Sequence, residues 1–262
     1  MAAPSPPVPR HRGIYLLPNL FTTAAMFAGF YAIIAAFSGK FDVAAIVVFA
    51  AAILDSLDGR IARLTNTQSE FGAQYDSLSD MISFGVAPAL VMYAWSLSSL
   101  HTVSPIWGKV GWCAAFIYAA CGALRLARFN TQLGIADKRY FQGLPSPAAA
   151  GLCMAFVWSA SDLGVTGAEV RFFTPILIVI AGLLMVSRVR YFSFKSLPVN
   201  DRVPFLWIIA AVLILAALAI KPAYVLLALG IIYVCSGPVL TLLGMRAARR
   251  RARHRADHPP VP

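Results

Sequence analysis

Long runs of apolar residues recur along most of the chain, separated by short polar or basic segments. A membrane-spanning helix needs about 20 apolar residues, and about eight segments approach that length. They lack the two-residue alternation of barrel strands, so the pattern predicts an all-α, polytopic membrane helix bundle. The predicted spans are Leu16–Phe37, Val43–Ile61, Asp80–Leu100, Trp107–Leu126, Leu144–Ala160, Phe172–Val189, Val203–Ile220 and Ala223–Leu243.

The distribution of basic residues predicts how these helices are oriented. Lys and Arg accumulate in cytoplasmic loops. With the N-terminus in the cytoplasm, nearly all of the 22 basic residues fall on that side, and both termini are predicted to be cytoplasmic. We expect a bacterial inner-membrane protein with three regions: a disordered lead (1–13), a transmembrane domain (14–243) and a basic cytoplasmic tail (244–262). The basic residues left on the opposite side are Lys40, Lys109, Arg171 and Lys221.

Composition excludes an ordinary soluble domain. Hydrophobic residues make up 59% of the chain, charged residues 13%, and the mean hydropathy is +0.72. Soluble domains are about 45–50% apolar and about 25% charged. The net charge of +11 comes mainly from the ends of apolar segments and from the tail, so we predict contact with anionic lipid and no nucleic-acid binding. The four cysteines lack metal-ligand spacing and are interpreted as core residues.

Four aspartates interrupt this apolar pattern within one short stretch, Asp55–Asp80. At about 100° per residue they fall on one face of each of two helical segments, together with small residues. The polar link Thr65–Glu70 would let the two segments run antiparallel, so that the acidic faces meet. The first face carries Asp55, Asp58, Gly59 and Ala62, and the second carries Gly72, Asp76, Ser79, Asp80 and Ser83.

Carboxylates inside a membrane are costly and indicate a functional site. Four converging carboxylates need protons or cations, and ligands that are all oxygen suit Mg²⁺ or Mn²⁺. Such ions usually share their coordination with substrate phosphates, and pairs of them serve phosphoryl displacement. Arg63 could bind a pyrophosphate. The alternatives are interhelical polar contacts for the aspartates, and tight helix packing for Gly59, Ala62 and Gly72.

The same residues resemble the signature of the CDP-alcohol phosphotransferases: Asp55-x-x-Asp58-Gly59-x-x-Ala62-Arg63, eight residues, then Gly72-x-x-x-Asp76-x-x-x-Asp80. The resemblance implies a catalytic transmembrane domain with this signature on its second and third helices, and a homodimer. It implies that the aspartates bind two Mg²⁺ or Mn²⁺ ions and that Asp80 is the general base. The implied contacts to a CDP-linked lipid are Asn19, Asp58, Gly59, Ala62, Arg63 and Gly72. Asn19 could instead cap a helix.

Further segments resemble the membrane-type phosphatidylserine synthases. These segments are Leu17–Thr22, Ser83–Ala89, Leu124–Asn130 and Phe141–Pro147. The resemblance implies CDP-diacylglycerol and L-serine as substrates, with phosphatidylserine and CMP as products. The serine carboxylate needs a cation near the metal site, and the candidates at the end of the fourth span are Arg125, Arg128 and Asn130. The arginines could equally be positive-inside anchors.

Two other functions remain to be distinguished. A sibling enzyme of the same family could use glycerol 3-phosphate, inositol phosphate or choline as the acceptor. A proton- or ion-coupled transporter could also use intramembrane aspartates. It would need carboxylates near the midplane and a pathway open to both sides, whereas these aspartates lie toward one face.

Overall fold

The computed structural model describes residues 16–65, 69–131, 140–192 and 205–257. The predicted lead (1–13) lies outside these residues. Nine α-helices account for most of the described chain. Their bounds are α1 Leu16–Phe37, α2 Phe41–Leu64, α3 Glu70–Asp80, α4 Ala87–Trp95, α5 Pro105–Thr131, α6 Ser146–Asp162, α7 Thr174–Val186, α8 Phe205–Ile220 and α9 Pro222–Asp257.

Four helical segments within the described chain are long and apolar enough to cross a membrane: Leu17–Phe37, Glu70–Trp95, Pro105–Thr131 and Pro222–Thr241. The prediction of a helical protein with several membrane helices is therefore confirmed. Helix α2 is not among these four, and its second half carries the charged residues Asp55, Asp58, Arg60 and Arg63. Helices α6, α7 and α8 are shorter. The number of eight spans and the orientation of the termini remain predictions.

A two-stranded antiparallel sheet adds to the predicted all-α fold. Strand β1 (Tyr140–Gln142) pairs with β2 (Arg190–Phe192), and Phe141 lies opposite Tyr191. Strand β1 lies just before α6 and β2 just after α7, where the backbone is no longer helical. Pairing satisfies peptide groups that would otherwise lack partners.

The third predicted helix begins at Glu70 rather than at Asp80. A π-helical turn, Met81–Val86, joins α3 to α4 without a break. Pro88 has no N–H to donate to the carbonyl of Phe84, four residues earlier. The hydroxyl of Tyr118 on α5 donates to that carbonyl at 3.0 Å instead. The proline is thus accommodated, and the second half of the signature lies on one continuous helical segment, Glu70–Trp95.

Small residues bring the helices into close contact. Lipid is as apolar as a leucine side chain, so membrane helices associate through close packing rather than by escaping water. Helix α1 packs along α2 through alanines that are almost fully buried, among them Ala32, Ala36, Ala44 and Ala45. Large apolar residues such as Phe27 and Phe30 are exposed, as expected for a surface that faces lipid.

The helices alternate in direction, which brings several termini together at one end of the bundle. We call it the aspartate end. There Thr23 near the start of α1 contacts Tyr75 of α3 at 2.8 Å, and Arg128 near the end of α5 donates to the carbonyl of Val186 at the end of α7. At the opposite end, Lys221 pairs with Asp162 at 3.5 Å.

The closest approach between α1 and the π turn yields a prediction about stability. A Cβ added to Gly29 would lie 2.7 Å from the Cα of Ser83, so a backbone would have to move. We expect Gly29→Ala to destabilise the protein by about 1–3 kcal/mol, as overpacking does. A lower midpoint of thermal unfolding in detergent would show this.

Gly151→Ala on α6 is the matched control, because the nearest atom to its new Cβ is in the Phe49 ring at 3.4 Å. Alanine favours a helix over glycine by about 0.5–1 kcal/mol, so this variant should be no less stable than the parent. Equal midpoints for the two variants would contradict the close contact at Gly29.

Candidate active site

Three of the four predicted aspartates converge at the aspartate end. One carboxylate oxygen from each of Asp55, Asp76 and Asp80 lies within 4.8 Å of the other two. Asp55 comes from the second half of α2, and the other two come from the face of α3 that turns toward it. The carboxyl groups of Asp55 and Asp80 are within hydrogen-bonding reach of each other. We call these three residues the aspartate cluster.

Asp58 lies beside the aspartate cluster but makes a different contact. It is 5% exposed, and its Oδ2 accepts a hydrogen bond of 2.7 Å from the hydroxyl of Thr22 on α1. Its charge still repels those of Asp55 and Asp76. Asp58 therefore adds to the negative charge of the site while one of its oxygens holds α2 against α1.

The cluster has the donor set that a divalent cation requires. The Oδ1 atoms of Asp76 and Asp80 are buried and have no hydrogen-bond partner among the described residues. An unpartnered buried carboxylate oxygen costs free energy, and three carboxylates at this spacing repel one another. A hard cation relieves both penalties, and Mg²⁺ and Mn²⁺ prefer oxygen ligands. The residues present therefore fit such an ion.

Helix α1 fixes the position of α3 through serine hydroxyls. Ser79 donates to the carbonyl of Thr22 and Ser83 to that of Ala25, both at 3.0 Å. The sequence pattern places these serines on the same helical face as Asp76 and Asp80. The structure divides that face, since the serines bind α1 and the aspartates face α2.

The residues implied to contact the CDP group lie around the end of α2 and the start of α3. Gly59 is exposed, and a Cβ there would meet no atom within 4 Å, so the surface beside it is open. Arg63 is exposed, and its Nε donates to the carbonyl of Gly59 at 2.8 Å. Ala62 is half-buried on the same turn.

Gly72 and Asn19 lie next to each other across the gap between α3 and α1. A Cβ on Gly72 would lie 3.5 Å from Oδ1 of Asn19 and 3.1 Å from the hydroxyl of Ser69. Ser69 caps α3 by accepting a hydrogen bond from the backbone N–H of Gly72 at 3.0 Å. The small residue at this position therefore leaves room for the helix cap as well as for Asn19.

The three candidates for serine binding lie on the last turns of α5. Arg125 is half-buried, its Nη1 donates to the hydroxyl of Ser146 at 2.7 Å, and its charge interacts with that of Asp80. Asn130 donates to the hydroxyl of Ser77 at 3.1 Å, next to Asp76 in sequence. The structure therefore places Arg125 and Asn130 beside α3.

Arg128 lies at the same end of the bundle but contacts β1 and α7 rather than α3. Its Nη2 donates to Oε1 of Gln142, and its Nη1 donates to the carbonyl of Val186 at 3.4 Å. These contacts tie α5 to the last residue of β1 and to the end of α7.

Several residues of this region were not identified as candidates from the sequence. They are polar side chains that act on the predicted residues rather than on each other, and each is distant from its partner in the chain. The quoted segments Leu17–Thr22 and Phe141–Pro147 contain three of them, but nothing in their spacing indicates a partner. These residues are Thr22, Ser77, Gln142, Ser146 and Tyr233.

A sequence model of the CDP-alcohol phosphatidyltransferases matches residues 15–187, which is more than half of the chain. The chain belongs to this family. The match runs from the start of α1 to the residue after α7, so it includes the aspartate cluster and its supporting helices. Strand β2 and helices α8 and α9 lie beyond it.

Curated members of this family are similar over most of the chain. A CDP-diacylglycerol–serine O-phosphatidyltransferase of Helicobacter pylori is 41% identical over 187 residues, covering 71% of this chain and 76% of that protein. One of Methanocaldococcus jannaschii is 37% identical over 198 residues, covering 76% and 84%. One of Mycobacterium tuberculosis is 35% identical over 261 residues, covering 95% and 84%.

The cluster geometry yields a prediction about metal binding. Asp76→Asn keeps the shape of the side chain and removes one charged ligand. We expect Mn²⁺ affinity to fall by at least about 10- to 100-fold, the loss seen when even an outer-shell partner is removed. Electron paramagnetic resonance of free Mn²⁺ during a titration measures this directly.

Asp162→Asn is the control, because Asp162 is exposed at the opposite end and pairs with Lys221. Its Mn²⁺ affinity should equal that of the parent. Asp76→Asn should unfold at or above the parent's midpoint, and Asp162→Asn should lose no more than about 1 kcal/mol, the contribution of an exposed ion pair. Parental Mn²⁺ affinity in Asp76→Asn would rule out the cluster as the metal site.

Proposed function

We propose that this protein transfers the phosphatidyl group of CDP-diacylglycerol to the hydroxyl of L-serine and releases CMP. The observation that carries the proposal is the aspartate cluster, which combines two unpartnered carboxylate oxygens with the open surface at Gly59. The curated relatives that match most of the chain are named for this reaction. The protein is accordingly an integral membrane enzyme of phospholipid biosynthesis.

The CDP group of the donor is proposed to bind along the end of α2. Asn19, Asp58, Gly59, Ala62, Arg63 and Gly72 are the proposed contacts. The exposed guanidinium of Arg63 lies one turn after Gly59, where a pyrophosphate could approach the backbone. Arginine binds phosphate oxygens through two parallel hydrogen bonds, which fixes orientation as well as charge.

The proposed reaction is an in-line displacement at the phosphorus that carries the diacylglycerol. The serine hydroxyl oxygen forms a bond to this phosphorus, and the bond to the oxygen of the leaving CMP breaks. Asp80 accepts the hydroxyl proton, because its unpartnered Oδ1 is buried at the cluster. Holding the two reactants in line converts a bimolecular step into one within the complex, which supplies much of the rate enhancement.

Asp55, Asp58, Asp76 and Asp80 are the proposed ligands of two divalent cations, Mg²⁺ or Mn²⁺. Such ions, when bound, neutralise the pyrophosphate and polarise the attacking and leaving oxygens. The Thr22 hydrogen bond leaves Asp58 with one oxygen committed to α1, so Asp58 would ligate through the other. Asp80 would bind a cation through one carboxylate oxygen and accept the proton of the serine hydroxyl through the other.

Arg125, Arg128 and Asn130 are the proposed contacts for the acceptor. Serine carries a carboxylate, which a simple alcohol acceptor such as choline lacks. Arg125 lies between the cluster and α6, so a carboxylate bound there would leave the serine hydroxyl directed at the cluster. An acceptor such as glycerol 3-phosphate would also need a cation, and the acceptor assay described below distinguishes it from serine.

A transporter is a poorer explanation of the same residues. The cluster lies at one end of the bundle, where Asp58 beside it accepts a hydrogen bond from Thr22 of α1 and Ser79 of α3 donates one to the Thr22 carbonyl. These contacts hold the three helices together at one end, whereas a transport path would need carboxylates aligned across the bundle. The opposite end carries the ion pair of Lys221 with Asp162 and no acidic cluster among the described residues.

The aspartate end is proposed to face the cytoplasm of a bacterial cell, with eight spans and both termini on that side. The alternation of helix directions and the excess of basic residues at this end support the proposal. Helix α9 continues as far as Asp257, into the predicted basic tail, which is proposed to contact anionic lipid. A homodimer is proposed from family membership alone.

Labelling of single cysteines tests this topology. In a background without the four native cysteines, Lys40→Cys and Leu64→Cys place thiols at opposite ends of α2, both at exposed positions. A membrane-impermeant maleimide should label the first in intact cells and the second only after lysis. The reverse order would place the aspartate end outside the cytoplasm.

The proposed reaction predicts a specific pattern of CMP release. Purified protein with CDP-diacylglycerol and Mn²⁺ or Mg²⁺ is offered serine, glycerol 3-phosphate, inositol phosphate and choline in turn. CMP should appear with serine alone and only in the presence of metal, and the lipid product should have the mass of phosphatidylserine. Release with a different acceptor would overturn serine, and no release with any acceptor would overturn the transfer reaction.

Two variants accompany this assay. Asp80→Asn should lower kcat by about 10²- to 10⁴-fold, the usual contribution of a general base. Asp42→Asn, in the first turn of α2 at the opposite end, should match the parent. Parental turnover in Asp80→Asn would exclude its role as the base.

A further inference from the structure

One short segment of the chain binds both arginines of the proposed acceptor site. We call this segment, Gln142–Ser146, the 142–146 turn. Ser146 accepts a hydrogen bond of 2.7 Å from Nη1 of Arg125, and Gln142 accepts one from Nη2 of Arg128. The two arginines are three residues apart on α5, so they lie on adjacent turns of one helical face.

The 142–146 turn is itself fixed to the end of α7. The backbone N–H of Gly143 donates to the carbonyl of Val189 at 2.8 Å, and that of Leu144 donates to the carbonyl of Leu184 at 2.9 Å. Gly143 has φ +82°, and a Cβ there would lie 2.2 Å from the carbonyl oxygen of Met185. Only glycine fits this position without displacing the backbone.

The hydrogen bond to Ser146 uses only one of the N–H donors of the Arg125 guanidinium. Its Nε is buried and has no hydrogen-bond partner among the described residues. Its charge lies within electrostatic range of Asp80 on α3 and of Tyr233 on α9. An arginine has five N–H donors in a fixed plane, so binding one of them to Ser146 sets the direction of the others.

We propose that the 142–146 turn positions Arg125 and Arg128 and thereby sets a preference for acceptors that carry a carboxylate. Gln142 and Ser146 are positioning residues, since they contact the arginines and not the reacting atoms. The inference rests on the proposed function and adds a source for its selectivity. Without the Ser146 contact, the Arg125 side chain is free to turn toward Asp80, away from the orientation that a carboxylate needs.

Serine and ethanolamine are the probes, because they differ only in the carboxylate. We expect Ser146→Ala to raise KM for serine by about tenfold or more, because a hydrogen bond to a charged group contributes about 1.5–3 kcal/mol and 1.4 kcal/mol is tenfold. Gln142→Ala should also raise the KM for serine. The KM for CDP-diacylglycerol and the rate with ethanolamine should remain at the parental values.

Ser159→Ala is the matched control. Ser159 is also a buried serine of α6, 3% exposed, and its hydroxyl has no hydrogen-bond partner among the described residues. It should match the parent in both kinetics and unfolding. Gln142 is exposed, so its replacement tests the proposal without disturbing the core if Ser146→Ala unfolds.

The outcomes separate this inference from the proposed function. A parent enzyme that uses ethanolamine as well as serine would overturn carboxylate recognition itself. A parent that selects serine, with unchanged KM in both variants, would overturn the positioning role and leave the proposed function intact. A rise in KM for CDP-diacylglycerol instead of serine would assign the arginines to the donor and also overturn the inference.

Discussion

Repulsion among carboxylates is the constraint on which the rest of this structure depends. Asp55, Asp76 and Asp80 bring ligand oxygens within 4.8 Å of one another, and Asp58 lies beside them. Left free, α2 and α3 would separate at this point. Helix α1 prevents this, because the Thr22 hydroxyl binds Asp58 of α2, and α1 carbonyls accept hydrogen bonds from Ser79 of α3 and Ser83 of the π turn. These hydrogen bonds keep the carboxylates close together despite their repulsion.

The need to hold the aspartates together also explains the π turn within the helical segment Glu70–Trp95. Asp80 is the last residue of α3, and the π turn begins immediately after it. Ser83 within that turn binds α1, and the Phe84 carbonyl that Pro88 cannot satisfy is bound by Tyr118. The C-terminal end of α3 is therefore fixed by neighbouring helices. Rigid support of this kind lets a site keep charged groups close together.

The sequence predicts the parts of the site that local periodicity determines. Helical spacing alone places the aspartates on facing surfaces, and the structure brings three of the four together. The contact of Asp58 with Thr22 joins residues 36 positions apart, and no periodicity within either helix could indicate it. The β1–β2 pair and the continuous third helix likewise depend on partners elsewhere in the chain. Local pattern predicts which residues share a face, and only packing decides what that face contacts.

This difference separates the two halves of the proposed active site. Apart from Asn19 on α1, the proposed donor and metal residues lie on the hairpin of α2 and α3, so a fixed spacing encodes them and a family signature can describe them. The acceptor residues depend on α5, the 142–146 turn and the end of α7, which meet only in the folded bundle. Substitutions in the 142–146 turn can therefore redirect Arg125 while the aspartate cluster stays in place. An enzyme built in this way can change its acceptor without changing its phosphoryl-transfer chemistry.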